Sequence, residues 1–212
     1  MTAGSHKKQA KKNRNKKKVF LSNAKSSSIP QQQSIFRSAL LAKELPLIVV
    51  DCPNVAMRHG ASLRFSCKGI QLALEFFHRA GHKVVGFLPD YYLNLEKVGE
   101  LRRSAKLGII DVKTQKQGLP DDVSLLLTLV GKGYIVGTPA QDYDDSYSIA
   151  YARLHGGYIV SNDMYRDHVK GIEPGIEKSK LREEVKKWLK SHVISYTFVG
   201  DEFIPNPDAS FA

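Results

Sequence analysis

Four strand-length apolar runs, each leading into a stretch of helical periodicity, limit this chain to a narrow set of folds. The first, 47–50, is Leu-Ile-Val-Val. A short run without alternation, rich in β-branched residues, suits a strand covered on both faces, as in parallel sheets. Further strands are expected at 83–88, closed by Pro89, at 134–137 and at 158–161. Between them, Ile70, Ala73, Leu74 and Phe77 predict a helix over 68–80, with Gly81 beyond its end. Amphipathic helices are also predicted over 93–107, over 122–131 behind Asp121-Asp122, and from Asp144 to the Gly156-Gly157 pair. In the last of these Tyr147, Ala150, Tyr151 and Leu154 form the expected apolar stripe. A basic helix over 178–190 carries Leu181, Val185, Trp188 and Leu189, and a closing hairpin joins 194–198 to 202–204. Strand–helix alternation of this kind predicts a three-layer α/β/α sandwich around a central, mainly parallel sheet.

Charge separates the chain into unlike parts. Its net charge is +11, yet the first 45 residues, with eleven basic side chains against one acid, hold +10 of it. Lys7, Lys8, Lys11, Lys12, Arg14, Lys16, Lys17 and Lys18 crowd a segment too polar to bury a core, which predicts a disordered arm. Such an arm binds RNA non-specifically, acts as a nuclear localisation signal, or merely aids solubility. A Ser/Gln-rich linker with a short helix at 35–43 completes residues 1–45; a folded domain is expected over 46–207 and a tail over 208–212. No run reaches the roughly 18 apolar residues of a membrane span, and no apolar segment follows the basic N-terminus as in a secretory signal. Cys52 and Cys67 form no metal-ligand spacing, so an intracellular setting, cytoplasmic or nuclear, is expected.

The acids of the near-neutral domain fall where a parallel sheet binds ligands. Asp51 follows the first strand, Asp144 and Asp145 open the helix after the third, and Asp163 lies just beyond the fourth, with Asp167 four residues on. The carboxyl ends of parallel strands share one rim. Taken singly, Asp51 also suits a helix N-cap, Asp144-Asp145 a helix dipole, and Asp167 a solvated face; Asp142 reads as a loop acid. Together they repel, by roughly 4 kcal/mol for a pair ~4 Å apart at an effective dielectric of ~20, and so call for protons or a cation. All-oxygen ligands suit Mg²⁺, with Mn²⁺ as a substitute, and Mg²⁺ commonly serves phosphate chemistry.

The sequences Val49-Val50-Asp51-Cys52-Pro53-Asn54-Val55-Ala56-Met57, Phe65-Ser66-Cys67-Lys68-Gly69-Ile70, Tyr143-Asp144-Asp145 and Val160-Ser161-Asn162-Asp163-Met164-Tyr165-Arg166-Asp167 resemble the regnase-type NYN ribonucleases, a family with a PIN-like fold. The ending Tyr196-Thr197-Phe198-Val199-Gly200-Asp201-Glu202-Phe203-Ile204-Pro205 resembles that family's closing hairpin. The resemblance implies a Mg²⁺-dependent endoribonuclease acting on single-stranded or loop RNA. It places Asp51, Asp144, Asp145, Asp163 and Asp167 in the catalytic cluster, the first four as metal ligands. Asn54 is then a hydrogen-bonding support for Asp51, and Lys68 and Arg166 are phosphate contacts. It also implies a homodimer, and RNA-decay or RNA-silencing complexes as partners. Cys52-Pro53 departs from the small residues usual after the first acid and is expected to alter that turn. Ala140-Gln141-Asp142 replaces a basic loop, and the family's CCCH zinc finger has no cysteines to build it here. Two alternatives stay open: a weakly catalytic or inactive RNA-binding scaffold, and another Mg²⁺-dependent phosphotransfer enzyme on a similar sheet.

Overall fold

Ile48, Val49 and Val50 are fully buried, which a strand achieves only when both of its faces are covered. In the computed structural model, which describes residues 44–108, 118–139, 144–172 and 176–209, they form β1 (Ile48–Asp51) at the centre of a parallel sheet. The other strands are β2 (Val84–Pro89), β3 (Ile135–Thr138), β4 (Tyr158–Val160) and β5 (Val193–Ile194), in the spatial order β3-β2-β1-β4-β5. Register sets Val50 beside Gly86 on one side and beside Val160 on the other. The basic arm from Lys7 to Lys18, the helix expected at 35–43 and the loop holding Asp142 lie outside the described residues.

Helices cover the two faces. After β1 come α1 (Cys52–His59) and α2 (Cys67–Arg79); after β2, α3 (Asp90–Leu93), α4 (Leu95–Lys106) and α5 (Val123–Gly131). Helix α6 (Asp144–Leu154) leads from β3 to β4, and α7 (Arg166–Gly171) and α8 (Ile176–His192) lead from β4 to β5. Because side chains alternate along a strand, Ile48 and Val50 join Leu74 and Phe77 of α2 and Leu126 of α5 in one core. Val49 and Ile159 join Ile149 of α6 and Val185 and Leu189 of α8 in the other. Burial of each such aliphatic side chain contributes about 1.5–3 kcal/mol. The result is the three-layer arrangement anticipated from the pattern.

Several local expectations need correction. The helix expected over 93–107 is α4, but it starts at Leu95, because Asn94 caps it by accepting the Lys97 N–H at 2.8 Å and Leu93 ends the short α3 before it. Among the described residues of α6, Ser148, Ile149 and Ala152 are buried; of the expected stripe, Tyr147 packs against this core and Tyr151 meets Phe87 edge-on at 5.5 Å, while Ala150 faces outward and Leu154 is 79% exposed. Small side chains let this helix lie close against the sheet, so packing distance outweighed the larger aromatic stripe. Ile194 leaves the predicted hairpin and, together with Val193, pairs with β4, where it is buried beside Val160. The hairpin proper is β6 (Tyr196–Val199) with β7 (Glu202–Pro205), turning at Gly200, whose φ is +57°. The turn expected to suffer from Cys52-Pro53 instead opens α1. Pro53 lies in its first turn, where a missing N–H costs nothing. Cys52 is buried in the core, its thiol donating to the Val50 carbonyl at 3.6 Å. It fits because residue 86 is glycine: a Cβ there would stand 2.4 Å from the sulfur.

Candidate active site

The sheet's connections run outward from β1 in both directions, so the strand order reverses between β1 and β4. A crevice at that reversal is where open parallel sheets hold ligands. Asp51 ends β1 and residues 161–165 follow β4, so both segments leave the sheet at this point.

Asp51 uses its two oxygens differently. Oδ1 accepts the Asn54 N–H at 3.2 Å and so caps α1. Oδ2 accepts the Ser161 hydroxyl at 2.7 Å and the Tyr165 hydroxyl at 3.1 Å. The helix-cap role and the site role therefore coexist in one carboxylate. Ser161 Oγ also accepts the Asp163 N–H at 3.0 Å, and Asp163 Oδ1 accepts the Tyr165 N–H at 2.8 Å. These bonds curl the chain tightly enough to place Tyr165 at φ 52°, ψ 33°, the left-handed region that bulky residues seldom occupy. Its ring is 1% exposed, packed in the core shared with α6 and α8.

A second tier holds this turn. Asn54 Oδ1 accepts the Asn162 N–H at 3.0 Å and the Tyr196 hydroxyl at 2.7 Å. The Asn162 side-chain amide exchanges two 3.0 Å bonds with the Tyr196 backbone, much as one strand would with another. The closing hairpin is thereby tied to the segment that carries Asp163.

Burial pushes the Asp51 carboxyl above its ordinary value. Hydrogen bonds from Ser161, Asn54 and Tyr165 counter that rise by favouring the ionised form, and the negative charge of Asp163 adds to it. Burial, and then the Asp51 charge, drive the Tyr165 phenol well above its usual range, so it stays a hydrogen-bond donor. The charge of Asp145 reaches the same phenol, which places it in the same electrostatic neighbourhood.

The structure thus brings Asp51 and Asp163 together, with Asp145 nearby and Asn54 in direct support. Asp144 is the first residue of α6. Asp167 lies on α7 with its side chain 98% exposed, 3.4 Å from Lys170, apart from the Asp51 hydrogen bonds. Lys68 is exposed in the first turn of α2, and Arg166 is exposed at the start of α7, donating to the Met164 sulfur at 2.9 Å. Among the described residues no three Asp, Glu, His or Cys side chains stand close enough to form a cation site by themselves. Ser161, Asn162, Tyr165 and Tyr196 were given no role by sequence reasoning. The available signal was a run of polar residues directly after the buried strand 158–160, where an exposed loop needs no fixed hydroxyl.

A serine, a histidine and an aspartate also meet elsewhere. His59 Nδ1 is 2.8 Å from Ser66 Oγ, and its Nε2 is 3.1 Å from Asp201. Ser66 is only 1% exposed, so its hydroxyl cannot meet a substrate, and the group serves to fasten the hairpin turn to α1. Gly69 makes room for it, since a Cβ there would lie 2.4 Å from the His59 Cβ.

The reversed parallel strand order, the two helical layers and the acids at the reversal together define a PIN-like fold of the NYN type. The model of the Zc3h12a-like ribonuclease NYN domain family matches residues 44–211, and the chain belongs to that ribonuclease family. Among solved structures, the fold is similar to the Arabidopsis thaliana nuclear protein-only RNase P 2 (PRORP2), with a TM-score of 0.50 and 19% identity. That match covers 85% of this chain and 33% of the other, so the chain spans about a third of that protein's length. A second structure of PRORP2 from A. thaliana has a TM-score of 0.49 and 15% identity, over 89% of this chain and 34% of that one.

Proposed function

We propose that the Asp51 centre cuts phosphodiester bonds within single-stranded or loop RNA by hydrolysis that depends on a divalent cation, Mg²⁺ by preference and Mn²⁺ as a substitute. The observation carrying this reading is the Asp51 carboxylate itself. It sits at the strand reversal, beside a second carboxylate, with neutral donors on its oxygens and its ionised form disfavoured by burial. An ion there would relieve that cost, and the all-oxygen donor set fits a hard cation; Mg²⁺ needs only one or two protein carboxylates when substrate phosphate and water complete its shell. Asp51 and Asp163 would hold it, with Asp144 and Asp145 contributing from α6 as the family pattern implies. When bound, the cation supplies Lewis-acid chemistry, making water nucleophilic near neutral pH and offsetting charge that gathers on the phosphate.

The chain's own groups prepare the carboxylates for that task. Ser161 and Tyr165 favour the ionised form of Asp51 and fix its rotamer, and Asn54 holds the turn bearing Asp163 at a set distance from it. Asp167, although solvent-facing, remains a candidate for positioning the water, and Lys68 and Arg166 for meeting phosphates. The Lys-rich arm would add sequence-independent affinity that weakens with salt.

Incubating labelled unstructured RNA with the protein and with Asp51→Asn, with and without Mg²⁺ or Mn²⁺, tests the assignment. Internal cleavage by the unmodified protein in the presence of metal, and loss by a factor of at least ~10² in the variant, is the expected outcome. Equal cleavage by the two would reject it.

A further inference from the structure

Beside Asp163 a cleft of about 630 Å³ opens between α7 and α8, beginning at residues 161–163 and running along both helices. Its walls carry Arg166 and Lys170 from α7 and Arg182, Lys186 and Lys190 from α8. The last three recur every fourth residue, so they line one edge of α8 about 6 Å apart, a step close to that between phosphates of an extended strand. Val169, Leu189 and Val193 give the cleft an apolar floor. Among its described lining residues the acids are Asp163, which belongs to the candidate active site, and Glu183.

The cations are held loosely or incompletely. Arg166 donates to a thioether sulfur, a weak acceptor. Lys186 lies 3.6 Å from Glu183 and Lys170 3.4 Å from Asp167, both as solvent-exposed pairs that a phosphate can displace. Arg182 donates through Nη2 to the Ile172 carbonyl, yet its buried Nε–H has no acceptor among the described residues. A buried donor left open beside an apolar floor is costly unless a ligand supplies the oxygen.

We propose that this cleft is the track that seats single-stranded RNA as it leaves the Asp51 centre, with phosphates on Arg166, Lys186 and Lys190 and a base lying over Val169 and Val193. The inference rests on the ribonuclease reading above. Charge complementarity selects a polyanion, and continuity with Asp163 selects the same polyanion that the acids would cut. The apolar floor selects a single strand, because a duplex hides the faces of its bases.

Binding of a labelled oligouridylate of about a dozen nucleotides, measured by anisotropy in EDTA across a salt series, tests the track without cleavage. The full chain is compared with Lys186→Gln/Lys190→Gln and with Lys97→Gln/Lys132→Gln, a change of equal charge at exposed positions off the cleft. Losing two phosphate contacts is expected to weaken binding roughly 25-fold at ~0.1 M salt and to reduce the salt slope by about 1.4, the control pair leaving both nearly unchanged. A duplex of the same length is expected to lose nothing from the cleft substitutions. Equal losses in the two variants, or no loss in either, would overturn the track. Duplex binding that is equally sensitive would overturn the single-strand assignment. Parallel assays with Mg²⁺ separate the two proposals: a protein that cuts while its cleft variant binds normally refutes only the track. A protein that never cuts, yet binds through the cleft, refutes only the nuclease reading.

Discussion

At the scale of single residues, the centre turns on how Asp51 bears a charge in a buried setting. Its folded-state carboxyl lies above the ordinary value, chiefly because burial disfavours the anion. For such a group the stabilising contribution is complete below the unfolded value and is lost as pH rises through the folded one. Ionising the centre is therefore a cost to the fold, one that the cation of the proposed reaction would offset. Tyr165 donates to Asp51 Oδ2 and is one of the groups that hold this value down. Tyr165→Phe removes that donor while keeping the ring in its core. In the proposed reaction Asp51 acts ionised, so the acidic limb of the pH–rate profile is expected to move to higher pH, with less change on the alkaline plateau. A profile of kcat/KM against pH reads this directly; a uniform drop at all pH values would instead assign Tyr165 a purely structural part.

At the scale of elements, the turn 161–165 and the hairpin act as one piece. Asn162 makes paired bonds to the Tyr196 backbone, and Asn54 gathers Asn162 and Tyr196 on one oxygen. Asn162→Ala leaves the Tyr196 N–H and carbonyl without their partner, a loss of about 1–3 kcal/mol where such groups are buried. It is expected to lower the urea midpoint and to reduce kcat more than it raises KM, because Asp163 loses its fixed distance from Asp51. Denaturation and steady-state kinetics on the same preparation check both. This coupling also marks how far the sequence could be read. The parallel sheet was legible because Ile48, Val49 and Val50 form an uninterrupted apolar run, and the placing of Asp51 and Asp163 because one ends a strand and the other lies just beyond one. The bonds that join Asn162 to Tyr196 span 34 residues and link polar side chains, which carry no periodicity. Helix α1 was hidden for a related reason: Cys52-Pro53 reads as a turn until Asp51 is known to cap a helix that begins there. The buried face of α6 was misread since Ser148 and Ala152 are chosen for closeness to the sheet and not for hydrophobicity.

At the scale of the whole molecule, the cost of ionising Asp51 connects the site to global stability. A ligand that binds only the folded state raises stability by RT ln(1 + [L]/Kd). A cation held as proposed would require ionised carboxylates, so this gain would grow as pH rises past the raised Asp51 value. The metal-free fold changes in the opposite sense, since burying the anion costs more once the carboxyl has lost its proton. Adding Mg²⁺ in the millimolar range is therefore expected to raise Tm by a few degrees near pH 8 and by much less near pH 5. Asp51→Asn is expected to abolish the Mg²⁺-dependent rise and to raise the metal-free Tm near pH 8, a gain on the order of 1 kcal/mol. The amide can still accept the Asn54 N–H that caps α1, so the helix start survives the change. Scanning calorimetry of the two proteins at both pH values, with Mg²⁺ and with EDTA, measures each term. An unchanged Mg²⁺ response in Asp51→Asn would show that the ion stabilises the protein from some other place, and the stability cost at the strand reversal would then need an explanation that does not involve metal.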